Sequence, residues 1–212
     1  SSDVCSSDLL FNFMKVGEMM PKTRVEAFTD AVIAIILTLL ILELKIPEKA
    51  DWSALTQSGH KIIIYLISFV TLLIYWNNHH HLFQSVRKID GRVLWMNNFL
   101  ILTLTFFPFV TGWVGEHPFS WPPQALYGLV VLGADVAYYL VVRALIQANG
   151  PKSEVQRLFG HYPKLTLSIV LNIIALIVGK MVAPIAVLII DTIVLVMWFI
   201  PERKAEIKET LK

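Results

Sequence analysis

Arg24, Phe28, Thr29 and Asp30 bring a guanidinium, an aromatic ring, a hydroxyl and a carboxylate together within one short stretch. Ala31-Val-Ile-Ala-Ile-Ile-Leu-Thr-Leu-Leu-Ile-Leu42 follows directly, with Thr38 its one polar side chain. Charges at the mouth of an apolar helix are costly at a membrane boundary unless paired or wet. The chemistry open to this set is ion pairing and hydrogen bonding. Asp30, in a first helical turn, is favoured by the helix dipole and can pair with Arg24 or with a histidine. The histidines come from a second polar set, Trp76-Asn-Asn-His79-His80-His81, and histidine is the residue type best suited to a pH response.

A third set is scattered through apolar stretches: Asp135, Asn172 and Asp191. Two readings stand for it. One is hydrogen bonding between helices, with Asp135 able to reach Tyr139 one turn on. The other is the relay of a proton-coupled secondary transporter using these intramembrane carboxylates. Transporters of that kind usually show broken helices or internal repeats, and no repeat is visible here.

Other chemistries find little support. There is no Gly-x-Ser-x-Gly, His-Glu-x-x-His or phosphate-binding glycine loop. No enzyme activity and no cofactor are expected. Three consecutive histidines on a helix point about 100° apart and do not converge on one metal, so no metal site is expected. Cys5 is the lone cysteine, which rules out an intrachain disulfide. A net charge of +2 gives no reason to expect a nucleic-acid partner.

The elements that must carry these residues are membrane helices. The 212 residues are 56% hydrophobic and 16% charged, with a mean hydropathy of +0.63. Soluble domains carry about 25% charged residues. Six spans of roughly 20 residues each can be drawn, predicting an all-α integral membrane protein with six transmembrane helices. They fall at about Ala27–Leu44, Lys61–Asn77, Val93–Trp113, Pro123–Ile146, Tyr162–Val178 and Val182–Ile200. Gly179-Lys180 alone joins the last two, predicting a tight helical hairpin. The transmembrane domain is expected over 19–200. Residues 1–18 read as a disordered or extraneous N-terminal segment, and 201–212 as a solvated, charged C-terminal extension.

Loop charges set the orientation. Fourteen of the 18 Lys and Arg residues fall on the side holding both termini. The positive-inside rule makes that side cytoplasmic. In a bacterium the membrane would be the inner (plasma) membrane, because outer-membrane proteins are barrels.

On the first helix, Ala31, Ile35, Thr38, Leu39 and Leu42 share one stripe at about 100° per residue. An aliphatic stripe reads either as packing or as the lining of a pore with one hydroxyl layer. Six helices are few for a pore, and symmetric assembly around the first helix would complete one.

Arg-x-x-x-Phe-Thr-Asp over 24–30 resembles the signature of the endolysosomal-type potassium channel family and its bacterial relatives. Trp76-Asn-Asn-His79-His80-His-Leu-Phe83 resembles that family's Trp-x-x-His-His-x-x-Phe. Asn97-Asn98-Phe99-Leu100 and Phe106-Phe107-Pro108-Phe109-Val110-Thr111 resemble its third helix. The resemblance covers about Met19–Ile200. Thr29 replaces a commoner Ser and keeps the hydroxyl. The six-span length is similar to the single-repeat bacterial form. The resemblance therefore implies a homotetramer in the lipid bilayer, conducting potassium ions with modest selectivity. It puts the constriction at Ile35, with Leu39 and Leu42 on successive turns, and potassium near Thr38. It implies that Arg24, Phe28, Thr29, Asp30, Trp76, His79 and His80 form a buried polar network supporting the first helix.

Overall fold

Among the described residues the long apolar stretches become helices, and the breaks follow local chemistry. The computed structural model describes residues 21–47 and 50–199. The expectations for 1–18 and 201–212 lie outside the described residues. The first helix, α1 (Lys22–Leu40), runs on into a 3₁₀ turn at Ile41–Glu43. There follow α2 (Trp52–Gln57), α3 (Gly59–Gln84), α4 (Gly91–Thr105), α5 (Phe107–Glu116) and α6 (Trp121–Asn149). The chain closes with α7 (Glu154–Phe159), α8 (Pro163–Met181) and α9 (Ala186–Trp198).

Caps and prolines fix the ends. The Asp51 carboxylate accepts from Ala54 N–H at 2.8 Å to open α2, and its own pKa is held below the usual carboxylate range by the Ser53 hydroxyl and that amide. Asp90 accepts from the amides of Arg92 and Val93, each at 3.0 Å, to open α4. Pro122 and Pro123 occupy the first turn of α6, where no amide is needed. Gly150, at φ 86°, ends α6 in a conformation that a side chain would strain. Between α4 and α5 the ladder breaks at Phe106 because Pro108 has no N–H to give. The two helices still make one crossing.

Among the described residues, five helical stretches are long and apolar enough to cross a membrane: 22–43, 59–84, 91–116, 121–149 and 163–181. The sixth expected span is shorter. α9 has 13 residues, which at about 1.5 Å each reach about 20 Å against a hydrocarbon core of about 30 Å.

α6 is the hub. It packs on α4, α5, α8 and α9, while α1 packs on α3, α4 and α5. α1 therefore forms one flank of the subunit and the α8–α9 hairpin another. A line of buried side chains runs the length of α3: Ile64, Ser68, Leu72, Tyr75, His79 and Leu82. This stripe carries the helix to Gln84, two turns past the Asn77 end expected from the polar run. The asparagines and histidines there continue the helix because its buried face continues.

The hairpin also differs from expectation. Gly179 and Lys180 lie in the last turn of α8, and the connection to α9 is Val182–Ile185. Gly179 serves packing instead. A Cβ there would collide with Val187 of α9, and one at Gly128 of α6 would lie 2.7 Å from the same valine. Val187 is fully buried and its branched side chain has little rotamer freedom. Gly179→Ala is expected to lower stability by about 1–3 kcal/mol, as overpacking does. Thermal unfolding in detergent checks this, and an unchanged midpoint would show that α9 swings away without cost.

Candidate functional site

α1 is divided lengthwise. Val25, Thr29, Ile33, Ile36 and Leu40 are buried against α3, α4 and α5. On the other face, Phe28 is 56% exposed, Ile35 57%, Leu39 48% and Leu42 73%. Ala31 and Thr38 lie exposed between them. The bare stripe from Phe28 to Leu42 is about 21 Å long at 1.5 Å per residue. All five candidate lining residues lie on it. The Thr38 hydroxyl donates to Ile35 O at 2.7 Å. Its proton is thereby occupied, and its oxygen faces outward as an acceptor on an otherwise aliphatic surface.

Behind the stripe lies a chain of hydrogen bonds. His79 Nε2–H donates to Asn97 Oδ1 at 2.9 Å, and Asn97 Nδ2 donates to Thr29 Oγ1 at 2.9 Å. Thr29, His79 and Asn97 are each 1% exposed or less. Because Asn97 offers its oxygen to the ring, the ring proton must be on Nε2. This chain joins α1, α4 and α3. Beside it, Trp76 Nε1–H donates to Asp30 Oδ1 at 2.9 Å. His80 stacks on Trp76 with centroids 5.9 Å apart, and bonds Gln84 at 2.8 Å. His79 stacks on Phe83 at 4.2 Å, and His81 is exposed.

The expected network thus divides. Thr29 and His79 are fully interior, whereas Asp30, Trp76 and His80 form a half-buried rim. Arg24 and Phe28 are exposed and take no part in these bonds. Asp30 takes the indole of Trp76 and leaves Arg24 aside, because Arg24 projects from the bare face. Asn97, absent from the expected set, is its keystone. A lone Asn on an apolar helix gives no sequence sign of its partner, and only the shared Asn-Asn-Phe-Leu element pointed near it.

The opposite end of α1 is tethered by charge. Lys45 and Lys61 pair with Glu116 at 2.9 and 2.8 Å, and His60 bonds Gly115 O at 3.1 Å. The hydrogen bond that Lys45 donates to Glu116 raises the Lys45 pKa above its ordinary value. Lys45 is well exposed, so this pair adds little stability but restrains the segment after α1.

The third polar set joins three helices. Tyr75 of α3 donates to Asp135 of α6, and Asn172 of α8 donates to its other oxygen at 2.9 Å. Tyr139 turns outward instead and carries Arg143 over its ring at 6.0 Å. Asp135 reaches across to α3 and α8 because its side chain faces the core. Among the described residues, no three His, Cys, Asp or Glu side chains gather as a metal site.

Known proteins match this chain along most of its length. A family model described as "Endosomal/lysosomal potassium channel TMEM175" matches residues 24–108. A potassium channel of Chryseobacterium sp. (strain P1-3) is 35% identical over 187 residues, covering 88% of this chain and 97% of the relative. A potassium channel of Chamaesiphon minutus is 32% identical over 134 residues, 59% of this chain and 66% of the relative. The human endosomal/lysosomal proton channel TMEM175 is 38% identical over 91 residues, only 18% of its length. The crystal structure of a lysosomal potassium-selective channel TMEM175 homologue from Chamaesiphon minutus shares the fold. Its TM-score is 0.68 at 22% identity, over 87% of this chain and 98% of that one. These relatives are ion channels and not enzymes. With the signature region matched and a relative aligned almost end to end, the chain belongs to the TMEM175 family of channels.

Proposed function

We propose that this chain is the subunit of a homotetrameric potassium channel whose pore is lined by the bare face of α1. The observation that carries the reading is that stripe. α1 buries the half bearing Ile33, Ile36 and Leu40; its other half, like the outer faces of α3 and α8, is left to meet lipid or another subunit, and it alone of these carries the Arg-x-x-x-Phe-Thr-Asp element at its start. Four copies meeting at Ile35, Leu39 and Leu42 would cover the other half and enclose an axis, as closed symmetry requires. The exposed Thr38 oxygen would then ring that axis as a layer of acceptors near a potassium ion. The potassium channels of Chryseobacterium and Chamaesiphon support the choice of ion.

Selectivity in such a pore is modest. Ile and Leu rings cannot replace a hydration shell as carbonyl cages do, so water must accompany the ion and the barrier is one of dewetting. α9 completes a six-helix subunit as a short span, and the loop charges put both termini in the cytoplasm of a cell bounded by its inner (plasma) membrane. A proton-coupled carrier built on Asp135 and Asp191 is the rival reading.

Flux into liposomes driven by potassium and then by sodium gradients tests the proposal. The expected result is non-saturating cation flux with potassium preferred by less than about tenfold, a difference of about 1.4 kcal/mol. Flux that saturates and follows a proton gradient would replace the channel with the carrier.

A further inference from the structure

A cavity lies between α3, α6, α8 and α9, and no residue of α1 lines it. Its lining is mainly apolar, with Thr71, Tyr75, Tyr127, Asp135 and Asp191 among its polar side chains. About 40 Å³ is open to the centres of water-sized occupants, room for a few such particles. No Lys, Arg or His lines it.

Its two carboxylates are treated differently. Asp135 has a donor on each oxygen, from Tyr75 and Asn172. Among the described residues Asp191 has no hydrogen-bond partner on either oxygen, and it is only 6% exposed. An intramembrane carboxylate without donors is among the costliest groups a fold can hold, and such groups mark sites for charge. Water can lend hydrogen bonds but leaves the negative charge in place. A small cation supplies both the missing partner and the missing charge.

We propose that Asp191, with Asp135 and the hydroxyl groups of Tyr75 and Tyr127 around the same cavity, forms a monovalent-cation site inside each subunit, separate from the α1 stripe. Tyr75 and Asn172 meet the oxygens of Asp135 but carry no charge, so Asp191 is the carboxylate left without any partner, and a monovalent cation is the smallest charge that pairs with it. Size agrees. A bare alkali cation with one or two waters fits the space. Mg²⁺ dehydrates reluctantly and keeps several waters, which need more room than this cavity has. The ion bound here would brace the α3–α6–α8–α9 half of the subunit, leaving conduction to α1.

The test is equilibrium binding of radioactive Rb⁺ to the purified full chain in detergent. pH and ionic strength are held fixed with N-methylglucamine chloride as the replacement salt. Native protein, Thr38→Ala and Asp191→Asn are compared. One ion per subunit should survive Thr38→Ala, which removes the hydroxyl layer of the α1 face, and weaken more than about tenfold in Asp191→Asn. The unfolding midpoint of the native chain should rise by on the order of 5 °C at a hundredfold excess of cation over its Kd. Should Asp191→Asn not fold, Thr38→Ala decides alone, because its midpoint must still respond to Rb⁺. Binding that ignores Asp191→Asn, or a Thr38→Ala midpoint indifferent to cation, would overturn the proposal and leave a protonated acid in a watery cavity. The readout is binding and not flux, so its failure is distinct from failure of the channel reading.

Discussion

Ile35→Asn is expected to raise potassium flux per channel about tenfold and to erode the preference over sodium. Ile35 is 57% exposed and its side chain leaves the subunit, so the change should not unfold the monomer. In the proposed tetramer it would replace an aliphatic ring by a wettable one. A tenfold rise needs only about 1.4 kcal/mol off the barrier. That is less than the about 1.5–3 kcal/mol separating a buried from a hydrated aliphatic side chain, so four copies can supply it. Ile36 is the control. It is the next residue but is 3% exposed, and polar substitution there should instead reduce the yield of folded protein. Liposome flux normalised to folded tetramer separates the two. Equal behaviour of the variants, or unchanged flux in Ile35→Asn, would remove α1 from the conduction path.

Periodicity was enough to find the face of α1. Ala31, Ile35, Thr38, Leu39 and Leu42 follow helical spacing, and the structure leaves all of them uncovered. Periodicity left open whether that face packs or lines a pore, and the polar cluster did not mark the helix start: α1 begins at Lys22, so Asp30 lies in its third turn and not in the first turn expected. Partnerships across helices were far less legible. Asp135 lies one turn before Tyr139, yet its bonds go to Tyr75 and Asn172, 60 and 37 residues away in sequence. Arg24 and Asp30 share a motif but point to different sides, since one belongs to the bare face and the other to the packed edge. The histidine run looked like a helix end because its residues are polar. His79 is nonetheless a core position, and only its place on the α3 stripe reveals this. Gly179 looked like a turn, whereas its small size serves the approach of Val187. In each case the deciding fact is a neighbour on another helix, which local sequence does not encode.

Asn97→Leu should be among the most damaging single changes to this fold. The substitution keeps the number and branching of side-chain heavy atoms, so the largest cost falls on hydrogen bonding. It leaves His79 Nε2–H without an acceptor and Thr29 Oγ1 without a donor, both in positions 1% exposed or less. Single hydrogen bonds between membrane helices average only about 0.6 kcal/mol, because the separated helices find other partners. Asn97 satisfies two buried groups at once, and an orphaned buried polar group costs about 1–3 kcal/mol. The loss is therefore expected at about 2–4 kcal/mol, which lowers the unfolding midpoint by about 5–12 °C for a chain of this size. His79→Leu added to Asn97→Leu should restore part of this, since it removes one of the orphaned groups, and the pair should be strongly non-additive. Potassium preference in the surviving tetramers should stay native, because these bonds lie behind α1 and not on its bare face. Additive losses in the double variant would show that Asn97 acts through packing alone. Altered ion preference with an unchanged midpoint would instead make the His79–Asn97–Thr29 chain part of the ion path, and would move the permeation route from the stripe of α1 to its buried side.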